Sequence, residues 1–399
     1  MERLPAQPWM TDPATRAVLA ALSAAGEPVR FVGGCVRDAL IGFERENVDI
    51  DLATPLLPDA VIAAAEAAGL RAVPTGMEHG TVTIVADHRP FEVTTLRRDV
   101  ETDGRRAVVA FTRHWAEDAA RRDFRLNALY ADPDGTLHDP TGGGMDDARA
   151  GRIVFVGDPE TRIREDYLRI LRFFRFTAWY GRAAPHAESL AACTRLKDGL
   201  NRLSAERLGK ETLKLLAAAD PRTAVRLMRD SGVLAELLPR ADDLHHFEAL
   251  APLSDDALLR LAALLPDAEA GAAVAARLRL SNAQRDRLLA ALAPEPRVRP
   301  DDPSQSVRAA LYAVGAQTVA DRLRLSAAER GGDPAELLAL AAEWTPKRLP
   351  VTGADLQALG LPPGPELGST LRRLEQAWIA SDFQLDHQAL IAMAAELHE

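Results

Sequence analysis

This sequence has few cysteines, no excess of positive charge and no long apolar runs, and each of these features excludes a class of protein. Only two cysteines occur among 399 residues. Cys35 and Cys193 lie far apart and lack metal-ligand spacing, so we expect two buried, reduced thiols in a cytoplasmic protein. No stretch approaches the ~18 apolar residues of a membrane span, and the N-terminus lacks a basic-then-apolar leader. The sequence therefore predicts no association with membranes.

Positive charge is outnumbered, since 48 lysines and arginines stand against 58 aspartates and glutamates, for a net charge of −10. Such a balance usually argues against nucleic-acid binding. The local distribution differs from the sum, because six arginines lie between residues 162 and 182 against Glu165 and Asp166. A locally basic stripe on an acidic protein is compatible with a polyanionic ligand.

The length predicts two or three domains, and the first 150 residues alternate between strand-like and helix-like stretches. A helix is predicted over residues 58–68, ended by Gly69. Residues 97–112 lack apolar periodicity, which indicates a mobile, charged loop. Four stretches with strand character are predicted as strands: residues 29–32, 48–53, 81–86 and 90–96.

From Asp158 onward, strand signals almost vanish and amphipathic helices rich in Ala, Leu and Arg take over. A proline cluster at residues 294–303 indicates a linker between helical units. The predicted fold class is α+β, with a small mixed α/β head followed by a long all-α region.

The most informative motif places a glycine pair and an arginine ahead of two acids. Asp49 and Asp51 alternate with apolar residues, so they are predicted to share one face of a strand. Two neighbouring carboxylates ionise together at low cost only beside a cation, and a pair of Mg²⁺ ions would supply one. Upstream, Gly33 and Gly34 can bring backbone N–H groups against an anion, and Arg37 adds a bidentate phosphate donor.

Each part of this motif alone has a simpler explanation. An Asp-x-Asp pair is usually a solvated strand end, and a Gly-Gly pair is usually a turn. Together, at this spacing, they favour a nucleotide-phosphate and metal site. The motif is neither the dinucleotide fingerprint G-x-G-x-x-G nor a Walker loop, because no Gly-Lys-Ser/Thr follows.

Glu92 is a candidate third carboxylate on a neighbouring strand. Residues 91–96 alternate, so Glu92 and Thr94 should face one way and Phe91, Val93 and Thr95 the other. Glu92 could complete a two-metal site and take the proton of an attacking hydroxyl. A cross-strand charge partner is the commoner role for such a glutamate.

The segment 117–129 begins with acids and continues with arginines at helical spacing. Arg122 could clamp a triphosphate, and Asn127 could hydrogen-bond a ribose or the backbone. A capped surface helix with i,i+4 pairs, such as Asp118 with Arg122, explains the same pattern equally well.

A single helix with arginines every third residue is predicted over residues 162–176. Asp166, Arg169, Arg172 and Arg175 would lie along one ridge. An ion-paired, solvated face is the usual explanation of such a stripe. The functional alternative is base recognition: a carboxylate accepts from an exocyclic amino group while a guanidinium donates to a ring nitrogen. An Asp/Arg pair would then admit cytosine and adenine and reject uracil and guanine.

Taken together, the motifs resemble the class II tRNA nucleotidyltransferases, the bacterial CCA-adding enzymes that share a superfamily with bacterial poly(A) polymerases. The resemblance covers about residues 30–210, with several motifs in the order of the family. The matching segments are residues 33–38 with 49–51, 92–95, 121–124 with 127–128, 139–143, 165–175 and 203–207.

The resemblance implies a polymerase-β-like palm that uses Mg²⁺. Asp49 and Asp51 would be the metal ligands, and Glu92 would be the third catalytic residue. Residues 97–112 would be the flexible segment tied to the switch from C to A addition.

The resemblance also implies a nucleotide-binding set. Three of its members would hold the incoming triphosphate, two would form an amino-acid template for the base, and two would support that template. In this order they are Gly34, Arg37 and Arg122, then Asp166 and Arg169, then Arg172 and Arg175.

Three regions follow: a nucleotidyltransferase head (residues 1–155), a neck with base-recognition helices (156–225) and an all-α body and tail (226–399) that binds tRNA by shape and backbone. The leading hypothesis is template-independent addition of C, C and A to tRNA 3′ ends from CTP and ATP. A CC-only or A-only enzyme and a poly(A) polymerase stay open, as does, more remotely, a non-catalytic RNA-binding protein. The sequence leaves the oligomeric state open.

Two departures from the family pattern are visible. Arg125 and Leu126 replace the usual Thr-Ile or Thr-Met pair, and the sequence assigns Arg125 no role. The basic signature expected of the poly(A) polymerase branch after the third carboxylate is missing.

Overall fold

The chain forms two compact units, Met1–Pro239 and Arg240–Glu399. The computed structural model describes residues 2–44, 47–103, 106–241 and 243–398. Within these ranges every strand lies in the first unit, and the second unit is helical. The predicted fold class, a mixed sheet followed by a long helical region, is therefore confirmed.

The strands of the described residues are numbered in chain order as follows: Arg30–Val32 (β1), Asp51–Thr54 (β2), Arg71–Gly76 (β3), Thr81–Ala86 (β4), Arg89–Thr95 (β5), Arg97–Asp103 (β6), Arg106–Phe111 (β7), Tyr130–Ala131 (β8) and Leu137–His138 (β9). Seven of them form one mixed sheet in the order β3-β4-β5-β2-β1-β8-β9. All neighbours are antiparallel except β2 and β5, which run parallel. The strand predicted at residues 81–86 coincides with β4, because its side chains alternate between buried and half-buried positions.

The helices of the first unit are Pro8–Thr11 (α1), Pro13–Ser23 (α2), Gly34–Ile41 (α3), Pro58–Ala67 (α4), Trp115–Ala120 (α5), Gly144–Ala150 (α6), Pro159–Glu165 (α7), Leu168–Tyr180 (α8), Ala187–Arg195 (α9), Ala205–Leu216 (α10), Arg222–Asp230 (α11) and Val233–Leu237 (α12). The predicted helix with its glycine stop is α4: Pro58 fits the first turn, and Gly69 follows with a φ of +73°. Cys35 and Cys193 are both buried and free, as predicted.

Residues 97–112 differ from the prediction of a mobile loop. β6 and β7 pair as an antiparallel two-stranded ribbon that is separate from the seven-stranded sheet. Gly104 and Arg105, which separate the two strands in the sequence, lie outside the described residues. Apolar alternation is a signal of strands that pack one face on a core, and a separate ribbon does not require it.

The predicted continuous helix over residues 162–176 is wrong at Asp166. α7 ends at Glu165 and α8 begins at Leu168, while Asp166 has extended backbone angles, with φ −154° and ψ 104°. Its side chain accepts a hydrogen bond from the backbone N of Leu168 at 3.1 Å. Such local bonding competes with the helical hydrogen-bond ladder and ends it. Asp166 therefore lies at a junction between two helices, and Arg169, Arg172 and Arg175 lie on α8.

The second unit consists of His245–Leu250 (α13), Ala257–Ala262 (α14), Ala268–Arg277 (α15), Asn282–Leu292 (α16), Ser304–Val314 (α17), Ala316–Arg330 (α18), Ala335–Ala342 (α19), Gly353–Ala358 (α20), Pro365–Ala380 (α21) and His387–His398 (α22). One buried cluster contains Val307, Leu311 and Leu323, and a second contains Leu374 and Trp378. The predicted proline linker corresponds to the non-helical residues 293–303 between α16 and α17.

Membrane crossing needs a long apolar helix. Within the described ranges, no helix combines the required length and apolar character.

Candidate active site

Three acidic residues lie near one another where β2 and β5 run side by side. Asp51 is the first residue of β2 and stands opposite Glu92 in the register of the parallel strand β5. Asp49 lies two residues ahead, exposed, in the irregular segment before the strand. The strand predicted at residues 48–53 is therefore wrong at its start, because Asp49 precedes β2 instead of sharing a strand face with Asp51.

The alternation predicted for β5 is confirmed. Phe91, Val93 and Thr95 are fully buried, whereas Glu92 is exposed and Thr94 is half-buried. The apolar side chains fix the strand in the core, so Glu92 is left on the accessible face next to Asp51.

Negative charge accumulates at this point. The pKa of Asp51 is raised from 3.8 to about 6, first because the carboxyl is buried and then because Glu92 and Asp49 are close to it. Arg122 acts on the same pKa in the opposite direction without cancelling the rise. A bound cation would relieve the repulsion between these carboxylates.

Asp49 and Asp51 are the residues whose chemistry fits a divalent metal. In the described part of the chain, no group of three or more His, Cys, Asp or Glu side chains is arranged around one metal position. Mg²⁺ does not require such a group, because it is commonly held by one or two carboxylates together with substrate phosphates. Asp49 and Asp51 are the two carboxylates that could supply the protein's share of such a ligand set.

The turn between β1 and α3 lies next to Arg122. Gly33 has a φ of +74°, a region that favours glycine, and Gly34 begins α3. Nη1 of Arg122 is 3.7 Å from the position that a Cβ on Gly33 would take. The turn and the arginine, which the sequence picks out in separate motifs, are therefore neighbours.

Arg122 is held from behind by a buried carboxylate. Its Nη2 lies 3.0 Å from Asp118, and its Nε donates to the hydroxyl of Tyr130 at 3.3 Å. Asp118 is 1% exposed. Burial acts to raise the pKa of Asp118, but the guanidinium groups of Arg122 and Arg121 outweigh it and hold the pKa at about 2. The i,i+4 pair that the sequence offered as the alternative is thus present, and it aligns Arg122 beside the turn.

Arg37 is buried, with 5% exposure. Its guanidinium donates to the side-chain oxygen of Asn127 and to the hydroxyl of Tyr180, both at 2.5 Å, and lies 2.7 Å from Asp38. It also stacks 4.0 Å above the Tyr180 ring. These contacts tie the first helix after the glycine turn to the end of α8. A direct phosphate contact for Arg37 stays a prediction.

Asn127 extends this network toward Arg172. Its side-chain amide donates to Asp123 at 3.1 Å, and Asp123 also accepts from Nε of Arg172 at 2.7 Å. Burial acts to raise the pKa of Asp123, but Arg172 and Asn127 outweigh it, so the pKa is about 2. Arg172, predicted to support base recognition, is thus anchored to the α/β head through Asp123.

The predicted template pair, Asp166 and Arg169, has other partners in the structure. Oδ2 of Asp166 accepts from Nη2 of Arg207 at 2.6 Å. Arg169 donates to Glu165 at 2.5 Å and to the backbone oxygen of Arg121 at 3.1 Å. Both side chains flank the α7–α8 junction, and each is oriented by a charge outside the pair.

The sequence interpretation missed three residues of this neighbourhood. Glu165 binds Arg169, Arg207 binds Asp166, and Glu211 accepts from Nε of Arg175 at 2.5 Å. Glu165 and Arg207 lie inside segments that carry the family resemblance, which is the signal that could have identified them. Glu211 is buried and carries no such signal, since its partner is 36 residues away.

Arg125, the unassigned departure, contacts the second glycine-rich turn. Its Nη1 lies 3.5 Å from the position of a Cβ on Gly143 and 3.8 Å from Asp147. Asp147 in turn accepts from Nε of Arg152 at 3.0 Å. Arg125 therefore braces the start of α6, and its guanidinium is directed to Asp147.

Two family models match the chain. The first, described as the Poly A polymerase head domain, matches residues 29–154 and contains the carboxylates and the glycine turn. The second, described as a probable RNA and SrmB-binding site of polymerase A, matches residues 184–244.

Curated relatives match over nearly the whole chain. The mitochondrial CCA tRNA nucleotidyltransferase 1 of Mus musculus is 31% identical over 377 residues, which cover 91% of this chain and 86% of the relative. The CCA-adding enzyme of Levilactobacillus brevis is 31% identical over 418 residues, covering 99% of this chain and all of the relative, 100%.

Solved structures match the fold. The crystal structure of the Bacillus stearothermophilus CCA-adding enzyme in complex with CTP has a TM-score of 0.81 at 27% identity, covering 97% of this chain and 98% of that one. The Thermotoga maritima CCA-adding enzyme has a TM-score of 0.71 at 20% identity, which supports the same fold. With identity above 30% over most of both chains, this protein belongs to the family of CCA tRNA nucleotidyltransferases, the CCA-adding enzymes.

Proposed function

We propose that this protein adds C, C and A to the 3′ end of tRNA from CTP and ATP, without a nucleic-acid template. The observation that carries the proposal is the register of Asp51 opposite Glu92 on parallel strands, with Asp49 just ahead. Likeness over full length to proteins named CCA-adding enzymes supports it.

In this mechanism Asp49 and Asp51 hold divalent metal, which we take to be Mg²⁺. Bound there, two cations would neutralise charge on the transferring phosphoryl group. Glu92, accessible beside Asp51, accepts the proton of the attacking 3′ hydroxyl or contributes a late metal contact. The raised pKa of Asp51, which comes first from burial and then from Glu92 and Asp49, supports this assignment, because strongly perturbed carboxyl groups cluster at functional sites.

The incoming triphosphate is bound at the turn before α3. Backbone N–H groups at Gly34 and the guanidinium of Arg122 supply the donors. Asp118 keeps Arg122 aligned, since it pairs with two of its nitrogens. Arg37 supports the turn from inside through Asn127.

Base choice is made at the α7–α8 junction. Asp166 accepts from the amino group of cytosine or adenine, and Arg169 donates to the neighbouring ring nitrogen. Arg172 and Arg175 support the pair through Asp123 and through Glu211 on α10. The existing partners of Asp166 and Arg169 favour this proposal, because a fixed geometry is what separates C and A from U and G.

The remaining assignments follow the family resemblance. The head (1–155), neck (156–225) and body with tail (226–399) take the roles of catalysis, base recognition and tRNA binding. The β6–β7 ribbon takes part in the switch from C to A addition. Two buried free thiols suit a cytoplasmic protein.

A poly(A) polymerase is the second candidate, because the head matches a family model of that description. One experiment separates the candidates. The protein is incubated with tRNA lacking its 3′ end and each labelled nucleotide, singly and together, and the products are sequenced. We expect CC from CTP alone and CCA from the mixture. Long A tails would establish the second candidate, CC or A alone would indicate a partial enzyme, and no incorporation would leave an RNA-binding protein.

A further inference from the structure

The α7–α8 junction rests on a glycine. Tyr167 follows Asp166 directly, and its ring lies against Gly199 in the 3₁₀ turn Lys197–Arg202. A Cβ on Gly199 would lie 1.8 Å from Cδ1 and 2.0 Å from Cε1 of Tyr167. Because non-bonded carbon atoms pack at about 3.5–4.0 Å, the ring and a side chain at position 199 exclude each other.

The backbone does not require glycine at this position. Gly199 is absent from the described glycines with positive φ, so alanine is acceptable to the main chain. Gly199 is buried, the adjacent Leu200 is fully buried and Tyr167 is half-buried, so a side chain at position 199 could be admitted only if the Tyr167 ring moved. The contact with Tyr167 is therefore the reason that a side chain does not fit here.

The same part of the chain holds the junction at a second point. Arg207 binds Oδ2 of Asp166 at 2.6 Å, and the guanidinium of Arg202 lies 5.3 Å above the Tyr167 ring. Asp166 itself has extended backbone angles between two helices. Its direction is therefore set by the contacts of its own side chain and of the residue that follows it.

We propose that Gly199 is a positioning residue for base selection: by seating the Tyr167 ring, it fixes the direction in which Asp166 presents its carboxylate to the amino group of CTP or ATP. The inference rests on the proposed role of Asp166. A misplacement of about 1 Å in a positioned group can cost roughly a hundredfold. Loss of the packing of the Tyr167 ring on Gly199 should therefore change which base is incorporated.

The test compares Gly199→Ala with Asp166→Ala and with a control glycine, Gly271→Ala. A Cβ on Gly271 would lie 2.7 Å from Cδ1 of Leu292, so the variant creates a comparable collision within the second unit, which does not contain the junction. Incorporation ratios of C over U and of A over G are measured on tRNA lacking its 3′ end, with thermal unfolding in parallel. We expect Gly199→Ala to lower both ratios about tenfold. Gly271→Ala should keep the wild-type ratios, even where it lowers the melting temperature.

Removing the Tyr167 ring tests the same contact without adding an atom at position 199. Tyr167→Ala should lower both ratios as well, and adding Gly199→Ala to it should change nothing further, because no ring remains to collide. Wild-type ratios in both Gly199→Ala and Tyr167→Ala, with a loss in Asp166→Ala, would overturn the inference and leave the role of Asp166 standing. Wild-type ratios in Asp166→Ala would remove the proposed base template and the inference together.

Discussion

Two charged sites in the first unit have opposite arrangements of charge. At the edge shared by β2 and β5, like charges are brought together, and burial followed by the charges of Glu92 and Asp49 raises the pKa of Asp51 to about 6. At the α7–α8 junction, opposite charges are paired, Asp166 with Arg207 and Arg169 with Glu165. The first arrangement would be relieved by a bound cation, whereas in the second each charge has a partner within the protein.

This difference in charge arrangement predicts different roles for the two sites. Carboxylates that repel one another gain most from bound metal and substrate, so their loss should affect every nucleotide alike. Paired side chains already have a fixed direction, so their loss should affect which nucleotide is chosen. Variants at the two sites should therefore fail in different measurements.

The largest effect is expected at the carboxylates. Asp51→Ala or Asp49→Ala removes a proposed metal ligand and should lower the rate of C addition by roughly three decades or more. Single-turnover incorporation measures the rate, and thermal unfolding with tRNA binding shows that the fold persists. Asp134→Ala, an exposed aspartate of the same unit paired with Arg3, is the control. More than about a tenth of the wild-type rate in either variant would refute the metal assignment.

Glu92→Gln should have the next largest effect, about a hundredfold in kcat, because a proton acceptor acts mainly in the transition state. KM for CTP should change little. Glu78→Gln, at an exposed glutamate before β4, is the matched control. A higher KM with unchanged kcat would mean that Glu92 positions the nucleotide instead.

Base choice should change by about ten- to a hundredfold in Asp166→Ala, since each lost hydrogen-bonding group costs about 1–3 kcal/mol of discrimination. Arg169→Ala should act in the same way from the ring-nitrogen side. The ratios C over U and A over G are the readout, and Asp51→Ala should leave any residual ratio unchanged. A slower enzyme with wild-type ratios would mean that the junction has only a structural role, and that the two sites do not differ in the way proposed.

Asp123 gives the smallest effect, on stability against pH. Its folded pKa of about 2 lies below the unfolded value of 3.8, so the unfolded chain binds the proton more readily. The Asp123–Arg172 pair therefore contributes stability above about pH 4, worth about 2 kcal/mol, and loses it as the pH falls toward 2. Urea unfolding of wild type and Asp123→Asn from pH 6 to pH 3 should show a gap that narrows with acid. A constant gap would contradict the assignment.

Local patterns predicted the elements that depend on local rules. β4 follows from alternation and α4 from its proline start and glycine stop. The sequence also predicted that Glu92 lies near Asp51, because each side chain is on the accessible face of an apolar strand and the two strands must pair in one sheet. The arginine spacing on α8 was visible, since helical residues three apart are neighbours.

Other features depend on contacts that a linear pattern does not contain. The helix is interrupted at Asp166 because its side chain accepts one hydrogen bond from the backbone N of Leu168. The three-residue spacing of the charged side chains in the sequence does not change at this point, so it does not reveal the interruption. The pairing of Arg175 with Glu211 and the burial of Arg37 against Tyr180 join distant segments. β6 and β7 pair with each other as a two-stranded ribbon apart from the seven-stranded sheet, so the absence of alternation misled the prediction there.

The parallel pairing of β2 with β5 has a consequence for how the protein folds. Asp51 and Glu92 come from strands about forty residues apart, and α4, β3 and β4 lie between them in the chain. Bringing β2 and β5 together therefore costs more loop-closure entropy than forming the local β4–β5 hairpin. During refolding we therefore expect the hairpin to form before β2 joins it. The repelling carboxylates would then be brought together late, once enough sheet exists to hold them.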